Sequence, residues 1–136
     1  MSEQPCTPIH ILVAEDFQRF RKFISSTLRA RGDSQIICGV ADGLEAVRKA
    51  EELQPALIVL DIGLPKLNGI EAARRIGKLS PKSKILFLTV ESSPDVVQEA
   101  LRLGGGYVLK AQAERDLLAA VEAVLQGKRF VSSGLV

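Results

Sequence analysis

The chain has no tryptophan, one tyrosine, five phenylalanines and two cysteines in 136 residues. So few rings leave no platform on which the bases of a single-stranded nucleic acid could stack. Cys6 and Cys38 lack the spacing of metal ligands, and such a pair in a cytosolic chain stays as two free thiols, so no disulfide is expected. Met1-Ser2-Glu3-Gln4-Pro5 has neither a basic nor an apolar segment. It does not read as a secretory signal, and the expected location is cytoplasmic. Long apolar runs are missing as well: residues 56–60 and 85–90 fall far short of the ~20 needed to cross a bilayer, so no membrane contact is expected. Charge of one sign is also scarce, with 18 basic and 16 acidic residues for a net +2. The basic residues fall in scattered pairs such as Arg21-Lys22, Arg48-Lys49 and Arg74-Arg75, which makes no nucleic-acid footprint.

What remains is an ordinary globular composition, 46% hydrophobic and 25% charged. A domain of this size buries roughly 65–70% of its unfolded surface and needs no metal to hold a core. A metal in it would serve function.

Short apolar runs alternate with helical spacing five times along the chain. The runs at 9–14, 35–41, 57–60, 84–89 and 107–109 read as strands. Between and after them, stripes such as Phe20, Phe23, Ile24, Thr27 and Leu28, or Leu117, Leu118, Val121, Val124 and Leu125, mark amphipathic helices. Residues 57–60 show no polar alternation, as expected of a strand buried on both faces of a parallel sheet. Regular βα alternation predicts a doubly wound α/β fold with a five-stranded parallel sheet. Residues 1–8 read as a leader, 9–127 as the domain, with Gly127 capping its last helix, and 128–136 as the start of a connector without a partner strand or helix.

Ligands of open α/β sheets bind beyond the carboxyl ends of the strands. Here those ends carry Glu15-Asp16, Asp61, Thr89 and Lys110. Glu15-Asp16 alone also fits the opening of a helix, Thr89 an ordinary strand residue and Lys110 a surface lysine. Asp61 is different, since a carboxylate directly after four aliphatic residues is costly if buried without a partner. If the first and third strands are neighbours, three carboxylates converge, and a hard divalent cation is the simple remedy for their repulsion. All-oxygen ligands suit Mg²⁺, with the Gly63 carbonyl as a neutral candidate. A carboxylate beside Mg²⁺, a lysine and a hydroxyl donor is equipped to take a phosphoryl group as an acyl phosphate, with Asp61 the nucleophile and Thr89 and Lys110 contacting the transferred group.

These residues resemble the receiver domains of two-component response regulators. The match lies in Glu15-Asp16, in Asp61-Ile62-Gly63-Leu64-Pro65-Lys66-Leu67-Asn68-Gly69, in Thr89 and in Tyr107-Val108-Leu109-Lys110. The resemblance implies a flavodoxin-like strand order 2-1-3-4-5, phosphorylation of Asp61 by a sensor histidine kinase, and slow autodephosphorylation. It implies Mg²⁺ held by Asp16, Asp61 and the Gly63 carbonyl with Glu15 assisting. It also assigns Thr89 and Tyr107 to a switch in which Tyr107 turns inward and alters the surface of helix four, strand five and helix five. Lys110-Ala111 and Gly127-Lys128-Arg129-Phe130-Val131-Ser132 resemble the NarL/FixJ (LuxR-type) branch. Such receivers precede a helix-turn-helix domain, so DNA contact is expected only through an output domain absent from this chain, and a phosphorylation-dependent homodimer is a further expectation.

Two features depart from the family pattern. The stretch holding Gly104, Gly105 and Gly106 is one residue short, and its glycines leave the backbone ahead of Tyr107 free. Gly63 and Glu91 resemble the positions that tune phosphate lifetime in the family; Gly63 has no side chain to position a water, so dephosphorylation should depend mainly on Glu91 and on solvent access. Arg19, Arg21 and Lys22 form the expected kinase-docking face. Three competing readings are a haloacid-dehalogenase-like phosphatase, whose Asp-x-Asp motif is not matched at Asp61-Ile62-Gly63, a flavodoxin-like electron carrier, and a receiver that acts by contact alone.

Overall fold

The structure, a computed structural model, describes residues 8–135; Cys6 and most of the expected leader lie outside the described residues. Strands β1 (Ile9–Ala14), β2 (Ser34–Val40), β3 (Leu57–Leu60), β4 (Lys84–Thr89) and β5 (Gly106–Leu109) are all parallel, in the order β2-β1-β3-β4-β5. They alternate with helices α1 (Gln18–Arg29), α2 (Gly43–Leu53), α3 (Gly69–Leu79), α4 (Pro94–Leu103) and α5 (Ala113–Leu125). This is the flavodoxin-like order that the family resemblance implies, and it puts β1 and β3 side by side.

Strand period two divides the core into two layers. Leu12, Ile58, Leu60, Phe87 and Tyr107 face α2, α3 and α4. Ile11, Val13, Val59, Leu88 and Val108 face α1 and α5. Three helices start on a side-chain cap: Asp42 accepts from Glu45 N at 2.8 Å, Asn68 from Glu71 N at 2.9 Å, and Ser93 from Val96 N at 3.4 Å. Helix α5 ends as expected on Gly127, whose φ of 80° suits a residue without Cβ; Lys128 N bonds Ala123 O at 2.8 Å and Gly127 N bonds Val124 O at 3.0 Å.

Two expectations need correction. The sheet has six strands, because β6 (Phe130–Val131) pairs in parallel with β5, so the segment after Gly127 does have a partner. Without it, β5 would present an open edge. A strand of two residues is too short to carry a periodic signal. Nor is the glycine stretch loose: Gly104 N bonds Ala100 O at 2.8 Å, and Gly105 N bonds Ile85 O at 2.9 Å. A Cβ on Gly106 would lie 2.7 Å from Leu86 and 2.8 Å from Val124. These glycines let β5 approach β4 and α5 closely.

Candidate functional site

Chain order and register together build the site. Ala14 pairs with Leu60, so the residues that follow, Glu15 and Asp61, leave the sheet at one level. Asp61 N donates to Ala14 O at 3.0 Å and Glu15 N to Val40 O at 3.0 Å, which fixes both backbones. Glu15 and Asp61 are buried, at 1% and 6% exposure, while Asp16 is exposed. One carboxylate oxygen from each of the three lies within 4.8 Å of the others. Asp16 does not cap α1: Phe17 occupies the cap position with no side-chain bond, and Glu15 Oε2 instead accepts from Phe17 N at 3.1 Å. The helix-opening reading of Glu15-Asp16 is thereby set aside.

Lys110 begins a 3₁₀ turn (Lys110–Gln112) directly after β5. Its Nζ lies 2.8 Å from Glu15 Oε1, 3.0 Å from Glu15 Oε2 and 3.3 Å from Asp61 Oδ2, and 4.9 Å from the centre of the Phe20 ring. Burial pushes the Glu15 carboxyl above its usual range and the Asp61 charge adds to this; the Lys110 bond and the Phe17 N–H offset only part. Burial acts to lower the Lys110 ammonium, but the Glu15 hydrogen bond and the charges of Asp61 and Glu15 outweigh it, and the group ends above its usual value. The two shifts differ in cause: burial dominates at Glu15, whereas at Lys110 two neighbouring anions outweigh burial.

The donor set fits a hard divalent ion. It is all oxygen, it carries more negative than positive charge, and Glu15 Oε1 is buried with no hydrogen bond despite the nearby ammonium. Gly63 stays beside Asp61 through its N–H, which donates to Oδ1 at 3.2 Å. Nothing lies within 4 Å of where a Gly63 side chain would begin, so this flank is open.

Thr89 ends β4 at 1% exposure, its Oγ1 accepting from Glu91 N at 3.2 Å. Tyr107 is fully buried and already turned inward, its hydroxyl donating to Glu91 O at 2.6 Å. Burial, followed by the charges of Glu91 and Asp61, pushes its phenol above the usual range. The carboxylate of Glu91 accepts from Ser93 N at 3.3 Å, at the start of α4.

The basic residues of α1 do not form one face. Arg19 lines an apolar pocket with Phe17, Phe20, Phe23 and Lys110. Arg21 and Lys22 line a groove on the other flank, and Arg21 Nη1 donates to the main-chain oxygen of Glu15 at 2.6 Å. No sequence signal identifies that bond, since its acceptor is backbone. Phe17, 59% exposed beside the acidic cluster, was also absent from the expected site.

The family model described as "Response regulator receiver domain" matches residues 11–122. The transcriptional regulatory protein DegU of Brevibacillus brevis is 32% identical over 124 residues, covering 90% of this chain and 52% of that protein. LnrK of Bacillus subtilis is 33% identical over 120 residues, covering 88% and 54%. The chain thus spans about half the length of the curated relatives it matches. Among solved structures, a LuxR-family two-component response regulator from Aurantimonas superposes with a TM-score of 0.89 at 28% identity, over 95% of this chain and 93% of that one. Joined to the sheet order and to the acidic cluster at its carboxyl edge, these matches establish that the chain belongs to the response regulator receiver domain family.

Proposed function

We propose that Asp61 is the phospho-acceptor of this receiver. One Asp61 oxygen attacks the phosphorus of a kinase phosphohistidine; the P–O bond forms, the P–N bond breaks, and the imidazole leaves. The observation that carries this reading is the placement of Asp61, buried to 6% exposure with Lys110 Nζ at 3.3 Å and with Glu15 and Asp16 beside it. Lys110 supplies a fixed positive charge toward the transferred group, and Thr89 a hydroxyl. Mg²⁺ would be held by Asp16, Asp61 and the Gly63 carbonyl, with Glu15 assisting. When bound, it neutralises oxygen charge in the transfer.

The open flank at Gly63 gives a donor access to Asp61. Arg19 and the exposed Phe17 beside the Phe20–Phe23 pocket suit the approach of an amphipathic kinase helix. Phosphorylation adds roughly −1.5 to −2 charge, which Lys110 and Mg²⁺ offset and toward which Thr89 turns. The change then passes to Tyr107 and the α4–β5–α5 surface, where a homodimer or a DNA-binding output domain beyond residues 128–136 would respond. The relatives that carry regulatory names support this wider role, in the cytoplasm where such signalling runs.

Intact mass after incubation with Mg²⁺ and acetyl phosphate tests the reading. One phosphoryl adduct is expected, absent in Asp61→Asn and absent with EDTA. An adduct that persists in Asp61→Asn overturns the assignment. No adduct in the unaltered protein, whether from acetyl phosphate or from a phosphorylated histidine kinase, would mean a receiver acting by contact alone.

A further inference from the structure

Phosphoryl transfer does not use the buried carboxylate of Asp116, on α5. Its Oδ2 accepts from Ser132 Oγ at 3.0 Å, and Ser132 is itself 1% exposed, in the segment that leaves the domain. Arg115 holds the other oxygen, Nε to Oδ1 at 2.9 Å, and reaches Ser133 Oγ at 3.1 Å. Gln112 adds a bond to Ser133 O at 3.3 Å.

Ser132 spends its remaining bonding capacity on β5. Its Oγ accepts from Leu109 N at 3.2 Å and its N–H donates to Tyr107 O at 2.9 Å, while Phe130 N donates to Gly105 O at 3.2 Å. Tyr107 is therefore held twice: its side chain by Glu91 O from within, its main chain by Ser132 from outside. The next residue bonded by Ser132, Leu109, directly precedes Lys110. A network with every buried polar member satisfied fixes geometry more tightly than a single bond does.

We propose that Asp116 and Ser132 are positioning residues: they dock residues 130–133 along β5 and so hold Tyr107 in its inward position, which makes docking of this segment and phosphorylation of Asp61 mutually reinforcing. The second half rests on Asp61 being the phospho-acceptor and on its phosphorylation favouring the inward Tyr107. Reciprocity is a requirement of linkage, because two events that favour the same Tyr107 position favour one another.

The single tyrosine and the absence of tryptophan make tyrosine fluorescence or a ring NMR signal a report on Tyr107 alone. Asp116→Asn and Ser132→Ala are compared with Ile24→Val, a core truncation on α1 that removes none of the hydrogen bonds to the segment. Amide exchange at Phe130 and Ser132 should rise on the order of tenfold in the first two, as for the loss of one hydrogen bond, and the Tyr107 signal should shift in both. Neither change is expected in Ile24→Val. If exchange is unaffected, Asp116 and Ser132 do not dock the segment; if exchange rises while Tyr107 stays put, they do not position it. Either result overturns the proposal.

This first arm needs no phosphorylation, so its failure is distinct from failure of the Asp61 reading. In the second arm, protein shown by mass to carry one phosphoryl group should exchange Phe130 and Ser132 more slowly than the unmodified protein, with no slowing in treated Asp61→Asn. Unchanged or faster exchange in the phosphorylated protein overturns the coupling.

Discussion

Lys110 Nζ sits 2.8 Å from Glu15 Oε1, although 95 residues separate the two along the chain. The parallel sheet brings them together, since the end of β1 and the turn after β5 open on the same edge. Both groups have raised values in the folded state, so each contributes stability that is present below its unfolded value and is lost as pH rises through its folded one. For Glu15 the window lies above about pH 4.3, the unfolded glutamate range, so its ionised form at neutral pH works against folding. Glu15→Gln should then be more stable than the unaltered chain at pH 7 without metal, with the gap closing toward pH 4. Urea titrations with EDTA at the two pH values check this, and a less stable variant at pH 7 refutes it.

Added Mg²⁺ should reverse that order. A ligand that binds only the folded state stabilises it by about 2.7 kcal/mol at a hundred times its Kd. The melting temperature of the unaltered chain should rise with Mg²⁺ by several degrees. Asp16→Ala and Asp61→Ala, each lacking one of the three clustered carboxylates, should show little or no rise. Equal shifts in all three proteins would place the ion elsewhere.

Tyr107→Phe removes the hydroxyl that donates to Glu91 O at 2.6 Å but keeps the ring against Phe87, 6.2 Å away between centres. The expected loss is about 1 kcal/mol, that of one buried hydrogen bond. Tyr107→Ala should cost about 3–5 kcal/mol, because it also empties a fully buried ring site. Denaturant unfolding of both separates the two contributions, and equal losses would mean that the ring's packing carries nothing.

How far these features could be read in advance depended on the kind of signal each residue leaves. Strands β1, β3 and β4 match the sequence reading residue for residue, because each holds a run of four buried apolar residues, 11–14, 57–60 and 85–88, covered on both faces of the sheet. Asp61 stood out for the same reason, as a charge directly after such a run. The bonds from Tyr107 to Glu91 O and from Arg21 to Glu15 O have main-chain acceptors, which no residue type announces. Asp116 is an acid in the first turn of a helix, a common surface feature, and its bond to Ser132 depends on residues 130–133 folding back onto β5. The division of α1's basic residues between two flanks likewise depends on how the helix is rotated against the sheet.

Glu91 contributes two separable things. Its main-chain oxygen holds Tyr107, and its carboxylate accepts from Ser93 N at the start of α4. Glu91→Ala keeps the first and removes the second, together with the charge that acts on the Tyr107 phenol. The expected result is slower loss of the phosphoryl group, since Gly63 offers no side chain to orient water, together with a Tyr107 ring that stays buried. Decay of the adduct followed by intact mass reads the first and tyrosine fluorescence the second. An unaltered decay rate would remove Glu91 from phosphate turnover.

Two glycines flank the acceptor loop and should respond in opposite ways. A Cβ on Gly69 would fall 2.2 Å from Asp61 O and 2.7 Å from Ile62 Cα, and Gly69 N bonds Ile62 O at 2.8 Å. The start of α3 thus lies directly against the backbone that carries the acceptor carboxylate, and only glycine permits that approach. Gly69→Ala should destabilise the domain by about 1–3 kcal/mol through overpacking and reduce labelling of Asp61 by acetyl phosphate, because the backbone beneath the carboxylate must shift. Gly63→Ala meets nothing within 4 Å, so it should leave stability within about 0.5 kcal/mol of the unaltered chain. Unfolding and labelling measured on both variants give a paired test. If Gly69→Ala retained full labelling, the position of Asp61 would not depend on its close contact with α3.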